Sequence, residues 1–209
     1  MGRLPWVLGV GALAAVLAAA GTGVPAADVE AGRRKAERCA PCHGPEGNAT
    51  IPGTPSLAAM PVFYTHWQLI MFRDGRRSDP QMAPLVKDLT DEDLADLSAY
   101  YAAQRPPARS VANLAAPTAT AQRLAEAHHC TSCHGPRLMG QQQVPRLAGQ
   151  DLDYLLRRLL GYKAKTTSDL DGMMTMVAQP LTEQEIEILT HYIAGLTPVD
   201  AGEAGGRGP

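Results

Sequence analysis

Polar and apolar positions along the chain fall into a helical rhythm that occurs twice. Leu94, Leu97 and Tyr101 recur at steps of three and four residues, as do Ile186, Leu189 and Ile193, which marks two helices with one buried stripe each. A capping box precedes each stripe, Thr90-x-x-Asp93 and Thr182-x-x-Glu185. In it the threonine hydroxyl accepts the N3 amide and the carboxylate returns to the cap amide. Further helices are predicted over residues 29–38 and 120–129, and over 62–73 and 152–163. No stretch makes a comparable case for strands, so the expected fold is all-α.

The rhythm repeats because the sequence itself repeats. Cys39 falls on Cys130 at an offset of 91 (130 − 39), and Pro55, Leu57, Tyr64 and Leu69 fall on Pro145, Leu147, Tyr154 and Leu159 at 90 (145 − 55). Met82 to Leu94 then falls on Met174 to Ile186 at 92 (174 − 82). This implies two domains, 27–104 and 119–199. Between them, residues 105–118 are proline-rich and read as an extended linker. Residues 200–209, AGEAGGRGP after Asp200, read as a disordered tail.

The first residues carry one positive charge, Arg3, then an apolar run from Trp6 to Ala20, and Val24-x-Ala26 ahead of Ala27. This reads as an export signal, 1–26, cut before Ala27. The run is short for a membrane span, which needs about 20 apolar residues. The expected location is therefore the periplasm, with membrane contact only through partners unless the segment is retained as an anchor. A net charge of −2 with no basic tract excludes nucleic acid as a partner.

All four cysteines are spent on two copies of C-x-x-C-H, Cys39-Ala-Pro-Cys42-His43 and Cys130-Thr-Ser-Cys133-His134. Two thiols three residues apart can add to the two vinyl groups of one porphyrin, and the histidine that follows is then held beneath the iron. A thioredoxin-like dithiol needs no such histidine and sits beside a βαβ pattern. Zinc wants four N/S ligands per site, and each half offers three before new ones must be found. Haem also fits the low aromatic content, 5%. A porphyrin is a large flat apolar body, and its burial at roughly 25 cal/mol per Å² would fill a small helical core.

His43 and His134 are thus the proximal ligands of two haem c groups. For the distal ligands the repeat decides among eight methionines and four other histidines, because a ligand needed by both domains should recur. Met82 pairs with Met174. Met60, Met71, Met139, Met173 and Met176 fall opposite Gln150, Gly161, Asn48, Gln81 and Pro84. His66, His128, His129 and His191 likewise face Leu156, Glu37, Arg38 and Ala99. A ligating histidine usually gives its other ring N–H to an acceptor, and the recurring Pro55 and Pro145 are candidates to supply the carbonyl.

With these residues the chain resembles a dihaem cytochrome c of the cytochrome c4 type. Each half has C-x-x-C-H-G, then P-x-L, then methionine shortly before L-[ST]-[DE]-x-[DE]. The resemblance implies two tandem class I cytochrome c domains, each a small helical domain wrapped around a covalently bound haem. In class I cytochromes c a proline carbonyl holds the proximal histidine, the role this would give Pro55 and Pro145. The two haems would face each other across the domain interface.

Two axial ligands close each iron, and thioether sulphur favours the ferrous state. The expected function is a non-enzymatic electron carrier with no small-molecule substrate. Its donor would be a quinol-oxidising complex or dehydrogenase, and its acceptor a terminal oxidase or reductase. The alternatives are a dedicated cytochrome subunit of a dehydrogenase complex, or a dihaem enzyme such as a peroxidase or thiosulphate-oxidising protein.

Overall fold

The computed structural model describes residues 27–106, 119–167, 169 and 171–198, together with Gly2. The proposed export segment apart from Gly2, the linker beyond residue 106 and the tail lie outside the described residues. Among the described residues no helix is long and apolar enough to cross a membrane.

The first half contains α1 (Val29–Ala36), α2 (Ala40–His43), α3 (Val62–Arg73), α4 (Ala83–Val86) and α5 (Asp91–Ala102). The second half repeats the order with α6 (Ala119–Ala127), α7 (Cys130–His134), α8 (Leu152–Lys163), α9 (Met173–Ala178) and α10 (Glu183–Gly195). The only extended pairing among the described residues is an isolated bridge between Gln141 and Val144. In each half the first helix packs on the last, α1 on α5 and α6 on α10, and the middle helix packs on the last as well. The all-α fold with two tandem domains follows from this arrangement.

The local causes are visible at the helix starts. Asp28 caps α1 by accepting the amides of Glu30 and Ala31 at 2.8 and 3.1 Å. Both capping boxes form. Asp93 N–H donates to Thr90 Oγ1 at 3.1 Å while Thr90 N–H donates to Asp93 Oδ2 at 2.9 Å. Glu185 and Thr182 reproduce the exchange at 3.1 and 2.8 Å. The stripes behind them, Leu94, Leu97 and Tyr101, and Ile186, Leu189 and Ile193, are all buried. Where α1 crosses α5 the backbones nearly touch: a Cβ on Gly32 would lie 2.2 Å from the carbonyl oxygen of Asp96, so only glycine fits.

The helices entering the cysteine motifs are shorter than the sequence pattern predicts. α1 ends at Ala36 and α6 at Ala127, and the chain turns before a new short helix carries each motif. In the second half the turn is made by His129 in the left-handed region, φ 56°. A left-handed residue there breaks the right-handed helical ladder, which is why the periodicity of 120–129 does not run through. The two halves also differ in register. Gly32 and Ala36 are buried in α1 and Ala121 and Ala125 in α6, an offset of 89 (121 − 32) against 91 at the cysteines. Relative to Ala36 and Cys39, two extra residues therefore stand between the buried Ala125 and Cys130.

Candidate haem sites

α2 and α7 place each cysteine pair and its histidine on one turn of helix. Pro41, in the first turn of α2, sits where a missing N–H costs nothing. Both helices end at once on glycine, Gly44 at φ 76° and Gly135 at φ 82°. A Cβ on Gly44 would also meet the carbonyl oxygen of Asn48 at 2.0 Å. The chain thereby reverses directly after each histidine and leaves the ring facing inward, with His43 and His134 buried. Cys39 and Cys130 are half-buried, Cys42 and Cys133 exposed, and no disulfide joins them. Burial pushes the Cys39 and Cys130 thiols above their ordinary value, so they rest protonated.

Each ring is fixed by a carbonyl. His43 Nδ1 lies 2.8 Å from Pro55 O and His134 Nδ1 lies 2.8 Å from Pro145 O. A carbonyl can only accept, so Nδ1 carries the proton and Nε2 keeps its lone pair free for a metal. Burial lowers the pKa of both imidazoles, more than the Pro55 and Pro145 hydrogen bonds raise it, which keeps them neutral as a ligand must be.

Cys39, Cys42, His43, Pro55 and Met82 line one cavity, with apolar wall contributed by Leu69, Phe72 and Val86. In the second domain, Cys130, Cys133 and His134 stand on α7, and Met174 is the second residue of α9, the elements matching α2 and α4. The two methionine loops share a device that the sequence reading did not use. Asp79 Oδ1 accepts the amides of Gln81 and Met82 at 2.9 and 3.0 Å, and Asp171 Oδ1 accepts the amide of Met173 at 3.1 Å. Gln81 and Met173 are equivalent at the offset of 92. The signal was present as D-x-x-M in both halves, DPQM and DGMM. Met82 and Met174 are half-buried, whereas Met173 and Met176 are 45% and 59% exposed. Met60 and Met71 are buried in the first domain, and Met139 packs against the second core.

The first cavity reaches across to the second domain, since Pro145, Leu147, Gln150 and Tyr154 also line it. Several bonds tie the domains at this seam. Ser56 N–H donates to Gln150 Oε1 at 2.7 Å, and Gln150 Nε2 returns a bond to Ser56 O at 2.9 Å. Arg146, fully buried, donates from Nε to Ala58 O at 3.1 Å. Gly53 is held on both sides, its amide by Asp151 Oδ1 at 2.8 Å and its carbonyl by Arg157 Nη2 at 2.6 Å. Gln150 and Arg146 were not legible as functional residues, because their partners lie about ninety positions away and neither recurs in the repeat.

Arg77 adds a test of what the cavity suits. It lines the cavity, bonds the Tyr154 hydroxyl at 3.2 Å and the Gln68 amide, and stacks 4.4 Å from the Phe72 ring centre. Those partners are all neutral. An apolar slot with a neutral imidazole, two thiols and a thioether at its walls, and a guanidinium available to an anionic edge, fits a porphyrin with its carboxylates.

Comparison with known proteins points to the same cofactor. A family model described as "Cytochrome c" matches residues 118–197, and one described as "Cytochrome C oxidase, cbb3-type, subunit III" matches 27–100. The chain is 36% identical over 180 residues to the cytochrome c4 of Thiocapsa roseopersicina, covering 81% of this chain and 93% of that protein. It is 30% identical to a thiosulfate dehydrogenase electron acceptor of Stutzerimonas stutzeri, strain A1501, covering 79% of this chain and 82% of that one. The structure is similar to the crystal structure of reduced recombinant cytochrome c4 from Pseudomonas stutzeri. The TM-score is 0.72 and the identity 28%, over 82% of this chain and 100% of that one.

Proposed function

Because the chain belongs to the cytochrome c4 family, and so is a dihaem electron-transfer cytochrome whose partners are redox proteins, we propose that it is a periplasmic single-electron carrier. Its donor is a quinol-oxidising complex or dehydrogenase, and its acceptor a terminal oxidase or reductase. It holds two haem c groups covalently. Bound there, each supplies a one-electron Fe(III)/Fe(II) couple.

In this reading Cys39 and Cys42 form the thioethers of the first site, and Cys130 and Cys133 those of the second. His43 and Met82 would hold the first iron and His134 and Met174 the second, while the Pro55 and Pro145 carbonyls orient the two imidazoles. The observation that carries the proposal is the shared cavity wall of His43 and Met82, which offers the first site a nitrogen and a thioether donor that together would close the iron to a substrate. The protein's own work is then to exclude water, fix the ligand set and hold the two sites together. Spectra of the reduced protein under carbon monoxide provide the test. Unchanged bands at both haems are expected, and a bound fraction at either would mean an open iron and an enzyme such as a peroxidase.

A second reading rests on the Stutzerimonas relative, which is named as the electron acceptor of a thiosulfate dehydrogenase. This chain would then be the dedicated acceptor of one dehydrogenase rather than a free carrier. Purification from native membranes separates the two: a stoichiometric dehydrogenase in the preparation supports the dedicated form, and a cytochrome that elutes alone supports the carrier.

A further inference from the structure

We propose that Gln150, a residue of the second domain, tunes the haem of the first by hydrogen-bonding the peptide group that holds His43. The proposal rests on His43 being the proximal ligand. One peptide unit, Pro55–Ser56, carries both bonds: its carbonyl accepts from His43 Nδ1 at 2.8 Å, and its N–H donates to Gln150 Oε1 at 2.7 Å. The Gln150 side chain is held in one orientation. Its Oε1 also accepts the amide of Asp151 at 2.8 Å, and its Nε2 donates to Ser56 O at 2.9 Å, so each amide atom has the partner its chemistry requires. Gln150 is 1% exposed and Ser56 fully buried, so water cannot replace either bond.

Hydrogen bonds in series polarise one another. Drawing on the N–H of the Pro55–Ser56 peptide makes its carbonyl a stronger acceptor. His43 Nδ1–H is then drawn further toward Pro55, the ring becomes a more basic ligand, and ferric iron is favoured. The second domain has no glutamine at the matching position. The position equivalent to Gln150 at the offset of 90 is Met60, buried, whose thioether has no amide to give or accept in this way. Gln150 is therefore a positioning residue that lowers the potential of the first haem alone, and does so only while the second domain is seated on the first.

The test is the pair Gln150→Met and Gln150→Glu in the full holoprotein, with both potentials measured by spectroelectrochemistry and the ring N–H protons of His43 and His134 followed by NMR in the ferrous state. Gln150→Met should favour the ferrous first haem by about threefold, or about 28 mV at 59 mV per tenfold. The His43 Nδ1–H proton should move upfield while that of His134 stays. Gln150→Glu keeps an oxygen for Ser56 N–H in either protonation state, so the first potential should stay at or below that of the parent. No change in the first potential or in the His43 proton on Gln150→Met, or a rise with Gln150→Glu, overturns the proposal. Failure of the ligand assignment would show separately, as the absence of large hyperfine shifts on His43 in the ferric parent protein.

Discussion

Where α1 crosses α5, Lys35 Nζ reaches Asp93 at 2.8 Å and Asp96 at 2.6 Å. Where α6 crosses α10, the residues at the same register are Leu124 and Ile188, with Glu185 in place of Asp93. The first crossing is tied by a cation between two carboxylates. Asp96 is 1% exposed, and its Oδ1 also accepts the Asp28 amide at 2.7 Å. The second crossing is tied by apolar packing: Leu124 lies against a buried cluster that includes Ala125, Leu155, Ile186, Leu189 and Ile193. The corresponding cluster of the first domain is smaller, Ala36, Leu97, Tyr100 and Tyr101, with the two tyrosine rings edge to face at 5.1 Å. One fold thus closes around its centre in two ways. Charge makes the first domain depend strongly on protonation, and area makes the second depend on it less, with His128 and Glu185 at 3.9 Å beside the packing.

The comparison is sharpened most by removing the proposed distal ligands one at a time. Met82→Ala should open the first iron and Met174→Ala the second, each variant binding carbon monoxide at one haem only. The opened haem should fall in potential on the order of 0.1 V or more, within the ~0.8 V that axial ligands span. The other haem should stay nearly unchanged, because each domain supplies its own ligands. Redox titration with carbon monoxide spectra measures both. If neither variant opens an iron, a histidine ligates instead and the carrier reading gives way to the enzyme.

Next in size is the ion cluster. Lys35→Ala leaves Asp96 buried with only the Asp28 amide, and should destabilise the first domain by about 3–5 kcal/mol, the range for breaking a buried pair. Denaturant unfolding followed at the two haems should show the first domain lost early and the second unmoved. Equal loss in both would mean that the crossing is held by packing in each, and the contrast would disappear.

Acid tests the same contrast more gently. The Lys35 hydrogen bond and the Thr90 amide hold Asp93 down at about 2, against an ordinary value near 3.8. A depressed carboxyl contributes stability that is present above the ordinary value and lost as pH falls through the folded one. The first domain should therefore lose about 2 kcal/mol between about pH 4 and pH 2. Asp96 adds to this in the same sense: burial alone would raise it, but the Lys35 and Asp28 bonds outweigh that and leave it low. In the second domain Glu185 is lowered by its Thr182 partners and further by His128, whose Nε2 lies 3.9 Å away, but no lysine faces it and its side chain is 30% exposed, so the loss there should be smaller. Unfolding curves at pH 5 and pH 3 check the order in which the domains melt.

What the sequence disclosed and withheld divides along contact distance. The capping boxes, the buried stripes and the cysteine turns are written within a few residues, and they appear where the pattern places them. The Asp79 and Asp171 turns were equally local and could have been found by carrying the D-x-x-M match one step further. Arg146 could not. An arginine in a P-R-L loop reads as solvent-facing, and only the opposed first domain, with Ala58 O as acceptor, makes full burial tolerable. The two-residue shift between Ala125 and Cys130 was hidden for another reason: aligning on the cysteines hides any slip upstream of them. It took the buried pairs Gly32/Ala36 and Ala121/Ala125 to reveal it.

The smallest expected effect concerns the methionines beside Met174, where three stand within four residues against one in the first domain. The Asp171 bond to the Met173 amide sets the register of this loop as the Asp79 bond to the Gln81 amide sets that of the other. Met173 thereby occupies the place of an exposed glutamine and Met176 that of Pro84, and both side chains stand exposed. Asp169 secures the loop further, accepting from the Met174 amide and from Thr175 Oγ1. Met173→Ala and Met176→Ala should therefore leave both irons closed to carbon monoxide and both potentials within a few millivolts of the parent, since exposed side chains seldom matter to a site they do not touch. If Met176→Ala opens the second haem while Met174→Ala does not, the turn after Asp171 is not the counterpart of the turn after Asp79. The two domains would then hold their irons by different loops as well as different cores.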